Sequence, residues 1–149
     1  MHETAEAIPP RLQEIIEEFT WCEGREKLEL LLEFSEKLPP LSEHLHQQRD
    51  AMEPVPECMT PVFIHAEADD GRLSFDFEVP PESPTVRGYA EILRDGTAGA
   101  KPEEVLAIPN DFYLRMGLQQ VLTHQRLNGI SAILAHMKRL AVRELEKSA

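Results

Sequence analysis

The sequence predicts an α+β fold in which helices pack on a small antiparallel sheet of about three strands. Apolar residues recur at the spacing of amphipathic helices near both ends of the chain, and an alternating apolar pattern between residues 62 and 79 indicates a β-hairpin. The chain has 149 residues, of which 42% are hydrophobic, and this length and composition suit one compact domain. We therefore expect a single domain over residues 1–149.

Two amphipathic helices are predicted before residue 39. Their apolar faces follow the i, i+3, i+4, i+7 spacing and comprise Leu12, Ile15, Ile16 and Phe19 in the first helix and Leu28, Leu31, Leu32, Ser35 and Leu38 in the second. Gly24 separates the helices, and Pro39 and Pro40 end the second because proline cannot continue the hydrogen-bond ladder. The next stretch, residues 41–61, has no convincing period.

The hairpin is predicted from two alternating runs, residues 62–66 and 73–79, joined by a turn at Asp69, Asp70 and Gly71. A two-stranded ribbon is marginal alone, so we expect helices on its apolar face and another strand drawn from residues 41–61. Four helices are expected after the hairpin from capping residues, prolines and glycines. Their predicted limits are, in order, Ser83 or Thr85 to Gly96, Pro102 to Ile108, Asn110 to Gly117, and Thr123 onward.

The charge of the chain argues against polyanionic partners. Fifteen Lys and Arg against 27 Asp and Glu give a net charge of −12, which repels nucleic acid and anionic lipid. No run approaches the roughly 20 apolar residues that span a bilayer, and the first residues lack the features of a signal peptide. We therefore expect a cytoplasmic protein with no nucleic-acid or membrane partner.

Cys58 is the strongest candidate for chemistry. It is one of two cysteines and lies among Pro54, Pro56 and Pro61, which hold the backbone out of regular structure just before the first strand of the hairpin. The sequence predicts a stiff loop that presents this thiol, against the alternative of a buried structural cysteine. Cys22 stands at the end of an amphipathic helix and is more simply a core or boundary residue.

Other chemistries find little support. The sequence contains no Gly-rich phosphate loop, no His-Glu-x-x-His and no Gly-x-Ser-x-Gly. His44 and His46 with Glu43 or Cys58 would make a metal site, but His-x-His in a polar loop is more often solvated surface, so no resident metal is expected. Arg126, at the start of the last helix, would lower the pKa of a nearby thiol or contact a partner protein; its remaining alternative role is a surface salt bridge.

Four blocks of the sequence together resemble the SufE-like sulfur acceptors of iron–sulfur cluster assembly. They are residues 34–41 (FSEKLPPL), 55–63 (VPECMTPVF), 86–88 (VRG) and 122–129 (LTHQRLNG), in the order and spacing of that family. The resemblance implies an α+β fold with a small curved sheet, related to that of the IscU-type scaffold proteins. It also implies that Cys58 accepts sulfur from the persulfide of a PLP-dependent, SufS-like cysteine desulfurase and passes it to an iron–sulfur scaffold complex.

By the same resemblance, Arg126 and Gly88 match the family's arginine in the last block and its glycine after a basic residue. The chain departs from the family's usual pattern at Glu57 and Thr60, where glycine and serine are common, and at Val121, where many members have histidine. Glu57 places a negative charge beside the thiol, which should raise the thiol pKa. We identify no PLP-binding lysine motif, so PLP is expected in the desulfurase and no cofactor in this chain.

Three hypotheses therefore follow from the sequence. The first is a sulfur carrier that also stimulates its desulfurase and is catalytic only in that Cys58 turns over as a persulfide. The second is a non-catalytic adaptor of the same fold that binds partners through acidic helices. The third, a cluster or metal scaffold, is the weakest because two cysteines and scattered histidines make a poor ligand set.

Overall fold

The computed structural model describes residues 8–47, 52–55 and 61–148. In this part of the chain the elements are α1 (Pro10–Thr20), α2 (Arg25–Lys37), α3 (Glu43–Gln47), β1 (Glu53–Pro54), β2 (Phe63–Asp69), β3 (Arg72–Glu78), α4 (Pro84–Gly96), α5 (Pro102–Leu106), α6 (Tyr113–Met116), a 3-10 helix (Leu118–Gln120) and α7 (His124–Ser148). The α+β class expected from the sequence is confirmed.

The first two helices bury the faces that their periodicity predicts. In α1 all four predicted apolar residues are buried, and α2 buries Leu31, Phe34 and Ser35. The rings of Phe19 and Phe34 stack with their centroids 6.0 Å apart, which joins the two helices within the core. Leu28 and Leu32 are only half-buried at the border of this face.

The sheet is antiparallel in the order β1-β2-β3. β2 and β3 pair along their whole length, from Phe63 with Glu78 to Asp69 with Arg72. Asp70 and Gly71 both have positive φ, 56° and 78°, as a two-residue hairpin turn requires. β1 supplies the third strand expected from residues 41–61, although it is only two residues long.

Close packing of α2 on α4 depends on a glycine. A β-carbon added at Gly88 would lie 2.2 Å from the carbonyl oxygen of Leu31, so the backbones of the two helices approach each other at this point. α7 covers the other side, where it packs against α5 and β2. The buried residues of helices and sheet form one hydrophobic cluster.

Two local predictions were wrong. Residues 43–47 were expected in a polar loop but form the short helix α3, which is too brief to show a helical period in the sequence. Asn110 does not cap α6, because the chain makes a turn at residues 110–112 and the helix begins at Tyr113. Its predicted end is confirmed: Gly117, with φ 77°, follows the last helical residue in the left-handed conformation.

Candidate functional site

The connection between β1 and β2 carries Cys58. Its two ends are held together by the pairing of Pro54 with Phe63 and by a 3.0 Å hydrogen bond from the amide of Val55 to the carbonyl of Val62. Cys58 itself, with Glu57 and Thr60, lies in residues 56–60, outside the described part of the chain. The structure therefore gives the anchor points of the connection, at the end of the sheet where β2 begins and β3 ends.

An open depression of about 470 Å³ adjoins these anchor points. Residues from the start of β2 and from the segment after β3 line it: Pro61, Phe63, Glu78, Val79, Pro80, Pro81 and Glu82. Three of these residues are prolines, which fix the backbone of both walls. The surface beside the Cys58 connection is thus concave and largely apolar, with two carboxylates.

Arg87 joins three elements at this end of the molecule. It is half-buried in the first turns of α4, and its guanidinium donates a hydrogen bond of 2.8 Å to the carbonyl of Val79 and one of 3.4 Å to the carbonyl of Leu38. Val79 directly follows β3, and Leu38 is the C-terminal cap of α2. Arg87 therefore fixes the end of the sheet relative to α2 and α4.

Arg126 links the beginnings of two helices. Its guanidinium donates a 2.8 Å hydrogen bond to the hydroxyl of Thr85 in the first turn of α4, while its amide donates to the hydroxyl of Thr123 at 3.3 Å. Thr123 thus caps α7, as its sequence predicts. The N-termini of α4 and α7 lie together here with Arg87 and Arg126, and helix N-termini carry partial positive charge. Two arginines and two helix N-termini thus stand at the same end of the fold as the carboxylates of Glu78 and Glu82.

The structure thus connects Arg126 to the anchor points of the Cys58 connection through α4. Arg126 contacts Thr85, Arg87 lies two residues further along the same helix, and Arg87 contacts Val79 at the end of β3. The distance between Arg126 and the thiol of Cys58 falls outside the described residues. Thiolate stabilisation by Arg126 therefore stays a prediction.

Cys22 has a different environment. It is half-buried just after α1, and its thiol donates a hydrogen bond of 3.5 Å to the carbonyl of Glu18. This setting agrees with the structural role predicted for Cys22.

His44 and His46 lie in α3 rather than in a loop, and both are exposed. Within residues 8–47, 52–55 and 61–148, no group of three or more His, Cys, Asp and Glu is arranged to hold a metal ion. Their suggested partner Cys58 is outside these residues, so that hypothesis stays untested. The helices of the same described residues include none long and apolar enough to cross a membrane.

Sequence reasoning missed Arg87 and Thr85 as parts of this site. Both stand in the first turns of α4, and Arg87 lies within the VRG block, where only the glycine was singled out. Their roles depend on partners 49 and 41 residues away in the sequence, Leu38 and Arg126. The sequence did hold one signal for Arg87: a basic residue in the first turn of a helix opposes the helix dipole and therefore suggests a specific role.

The fold and this site define an α+β domain with a small antiparallel sheet and a cysteine in the connection between its first two strands. A family model described as SufE, Fe-S metabolism associated domain, matches residues 13–141. The chain therefore belongs to the SufE family. This finding confirms the resemblance carried by the four sequence blocks.

Individual relatives agree with this assignment. An uncharacterized SufE-like protein of Mycobacterium tuberculosis is 44% identical over 134 residues, which cover 89% of this chain and 92% of the relative. A protein of Plasmodium vivax named cysteine desulfuration protein SufE is 26% identical over 88% of this chain and 52% of its own length. The solution structure of a hypothetical protein from Thermus thermophilus superimposes with a TM-score of 0.82 at 35% identity, over 93% of this chain and 98% of that one.

Proposed function

We propose that this protein accepts sulfur on Cys58 from the persulfide of a PLP-dependent cysteine desulfurase and carries it to an iron–sulfur scaffold. Membership of the SufE family supports a role in iron–sulfur metabolism and sulfur transfer. The observation that carries the residue assignment is the anchored hairpin connection. Its ends, Val55 and Val62, are held together at the end of the sheet that Arg87 contacts, and this supports the assignment of Cys58.

The proposed transfer is a thiol exchange. The thiolate of Cys58 attacks the outer sulfur of the desulfurase persulfide, a new sulfur–sulfur bond forms on Cys58, and the desulfurase cysteine leaves as its thiolate. No external oxidant or reductant is needed, because the transferred sulfur keeps its oxidation state. The same exchange with a scaffold thiol would pass the sulfur on. PLP, which forms the persulfide, belongs to the desulfurase.

Covalent connectivity limits where the thiol can act. Three residues of extended chain span at most about 11 Å, so Cys58 stays within that distance of Val55. The depression lined by Pro61 and Phe63 is therefore the surface that we expect a docked desulfurase to meet beside Cys58. We propose that Arg126 favours the thiolate there, which would offset the opposite effect of Glu57.

Stimulation of the desulfurase and a cytoplasmic location are further parts of the proposal. A carrier that removes the persulfide frees the desulfurase cysteine for its next turnover, so turnover should rise when Cys58 is present. The acidic surface that repels nucleic acid and anionic lipid supports a location away from membranes.

Alanine release by a SufS-like desulfurase supplied with cysteine tests this function. The wild-type protein and Cys22→Ser should accelerate turnover, whereas Cys58→Ser should leave it at the rate of the desulfurase alone. The two cysteine variants are matched in chemistry and differ only in position. If Cys58→Ser stimulates as well as wild type, the protein is the adaptor of the alternative hypothesis, because an adaptor does not need the thiol.

A further inference from the structure

Trp21 is the most exposed large apolar side chain in the described part of the chain. Its relative exposure is 85%, against 46% for Leu114 and 39% for Val142. Tryptophan is enriched among the residues that dominate the energy of protein interfaces. Sulfur transfer on Cys58 gives this residue no role.

The exposure of Trp21 follows from its position on the helix. It continues the helical backbone of α1 and lies two residues beyond the buried Phe19, about 200° around the helix axis from it. Lys27, itself buried, donates hydrogen bonds of 2.6 Å to the carbonyl of Phe19 and 3.0 Å to that of Met116. This lysine ties α1 to α2 and α6, so the backbone beneath Trp21 is fixed while its ring stays in solvent.

Four glutamates lie within one helical turn or a few residues of Trp21 along the chain. Glu17 and Glu18 lie one helical turn before Trp21, and the amide of Trp21 donates to the carbonyl of Glu17 at 3.3 Å. Glu23 and Glu26 follow in the turn into α2, where a carboxylate oxygen of Glu26 accepts from the amide of Glu23 at 3.0 Å. All four glutamates are exposed. We call Trp21 with these four glutamates the Trp21 surface.

The one exposed cation within this turn, Arg25, stands against four exposed glutamates. Arg25 makes an ion pair of 3.7 Å with Glu29 one turn further along α2, and Lys27 is buried beneath the surface. The Trp21 surface therefore presents an aromatic face within a negative field. Aromatic faces and carboxylates both attract arginine and lysine.

We propose that the Trp21 surface binds a basic segment of a partner protein, with an arginine or lysine over the ring and its neighbours against the glutamates. A second copy of this chain fits poorly as the occupant, because each copy carries a net charge of −12 and the two would repel each other. The charge of the surface selects a basic partner instead.

The Trp21 surface lies at the far end of α2 from the Cys58 connection. α2 has 13 residues and is therefore about 20 Å long, with Trp21 before its N-terminus and the contact of Arg87 with Leu38 at its C-terminus. The Trp21 surface and the sheet end that Arg87 contacts therefore share no residue. This inference does not depend on sulfur transfer.

A labelled hexa-arginine peptide tests the proposal, with hexa-glutamine as the control peptide. Because Trp21 is the single tryptophan of the chain, its fluorescence reports binding at this surface directly. The arginine peptide should change the emission of Trp21 at low salt, and the effect should fade as salt screens the charges. Trp21→Ala should weaken peptide binding, followed by anisotropy of the label, about 3- to 30-fold.

Matched variants separate this surface from general attraction to an acidic protein. Val142→Ala removes another exposed apolar side chain and should leave affinity unchanged. The double variant Glu17→Gln, Glu18→Gln should weaken peptide binding. The control double variant Glu33→Gln, Glu36→Gln removes the same charge from α2, away from Trp21, and should weaken binding less. Circular dichroism and sulfur acceptance should be the same in all these variants.

Several outcomes would overturn the proposal. They are absence of binding by the arginine peptide, equal affinity of wild type and Trp21→Ala, and equal effects of the two pairs of glutamate substitutions. Sedimentation velocity supplies a further test. Self-association that Trp21→Ala abolishes would show that a second copy occupies the surface, contrary to the proposal.

Discussion

Replacing Gly88 by alanine should force α2 and α4 apart at the point where they cross. The new β-carbon would lie 2.2 Å from the backbone oxygen of Leu31. Because real β-carbons essentially never come within 3.0 Å of a non-bonded heavy atom, the two backbones must separate by about 0.8 Å. Overpacking of this kind costs about 1–3 kcal/mol, and the better helix propensity of alanine returns up to about 1 kcal/mol. Because the clash is with backbone, we expect the upper part of the overpacking range, about 2–3 kcal/mol, and thus a net loss of about 1–2 kcal/mol in the free energy of unfolding.

The same displacement should reach the candidate site. Arg87 is the neighbour of Gly88, and its 3.4 Å hydrogen bond to Leu38 spans the two helices that would move apart. Gly88→Ala should therefore slow sulfur acceptance as well as lower the melting temperature by roughly 2–8 °C.

Thermal and urea unfolding measure the stability change. Gly96→Ala is a graded comparison, because its β-carbon would lie 2.8 Å from Cδ1, 2.9 Å from Cβ and 3.1 Å from the α-carbon of Leu12, a milder clash than 2.2 Å from a backbone oxygen. Glu33→Ala, on the exposed face of α2, should change stability by less than about 0.5 kcal/mol. A Gly88→Ala protein as stable and as active as wild type would refute the reasoning.

Two further predictions concern single side chains. Arg126→Ala should raise the pKa of Cys58 and slow its alkylation at neutral pH. Thr85→Val keeps the cation and removes its 2.8 Å hydrogen-bond partner, so it should have a smaller effect. Equal alkylation rates at every pH in wild type and Arg126→Ala would instead mean that Arg126 is a partner contact or a surface residue. Tyr89→Phe should stabilise the protein by about 1 kcal/mol, because the Tyr89 hydroxyl is fully buried without a hydrogen-bond partner among the described residues. Burial also raises the pKa of Tyr89 well above 10.0, so above that pH the unfolded state loses this proton first and the wild type loses stability relative to Tyr89→Phe; a stability difference between the two proteins that stays constant from pH 7 to 11 would contradict this account.

Local patterns predicted most of the secondary structure. The spacing of apolar residues in α1 and the alternation in β2 and β3 reflect burial of one face, which sequence periodicity records directly. Prolines and glycines at element ends act through their own backbone, so Pro39 and Gly117 marked true boundaries. The helix α3 was missed because five residues span little more than one turn.

Contacts between distant residues could not be predicted in the same way. The hydrogen bond of Arg87 to Leu38 and that of Arg126 to Thr85 depend on how whole helices pack. The exposure of Trp21 could not be predicted for the same reason, because it depends on the opposite face of α1 being the one that packs in the core. The sequence indicated the importance of the VRG block, and the structure supplied the reason: Gly88 permits the helix crossing that positions Arg87.

Transfer of one sulfur atom to Cys58 is the central claim, and intact-mass spectrometry tests it most directly. The protein is mixed with a SufS-like desulfurase and cysteine, without reductant, and the modified residue is located by peptide mapping. We predict that wild type and Cys22→Ser gain the mass of one sulfur atom on Cys58, and that Cys58→Ser gains none. A gain of sulfur by Cys58→Ser, or its loss in Cys22→Ser, would contradict the account.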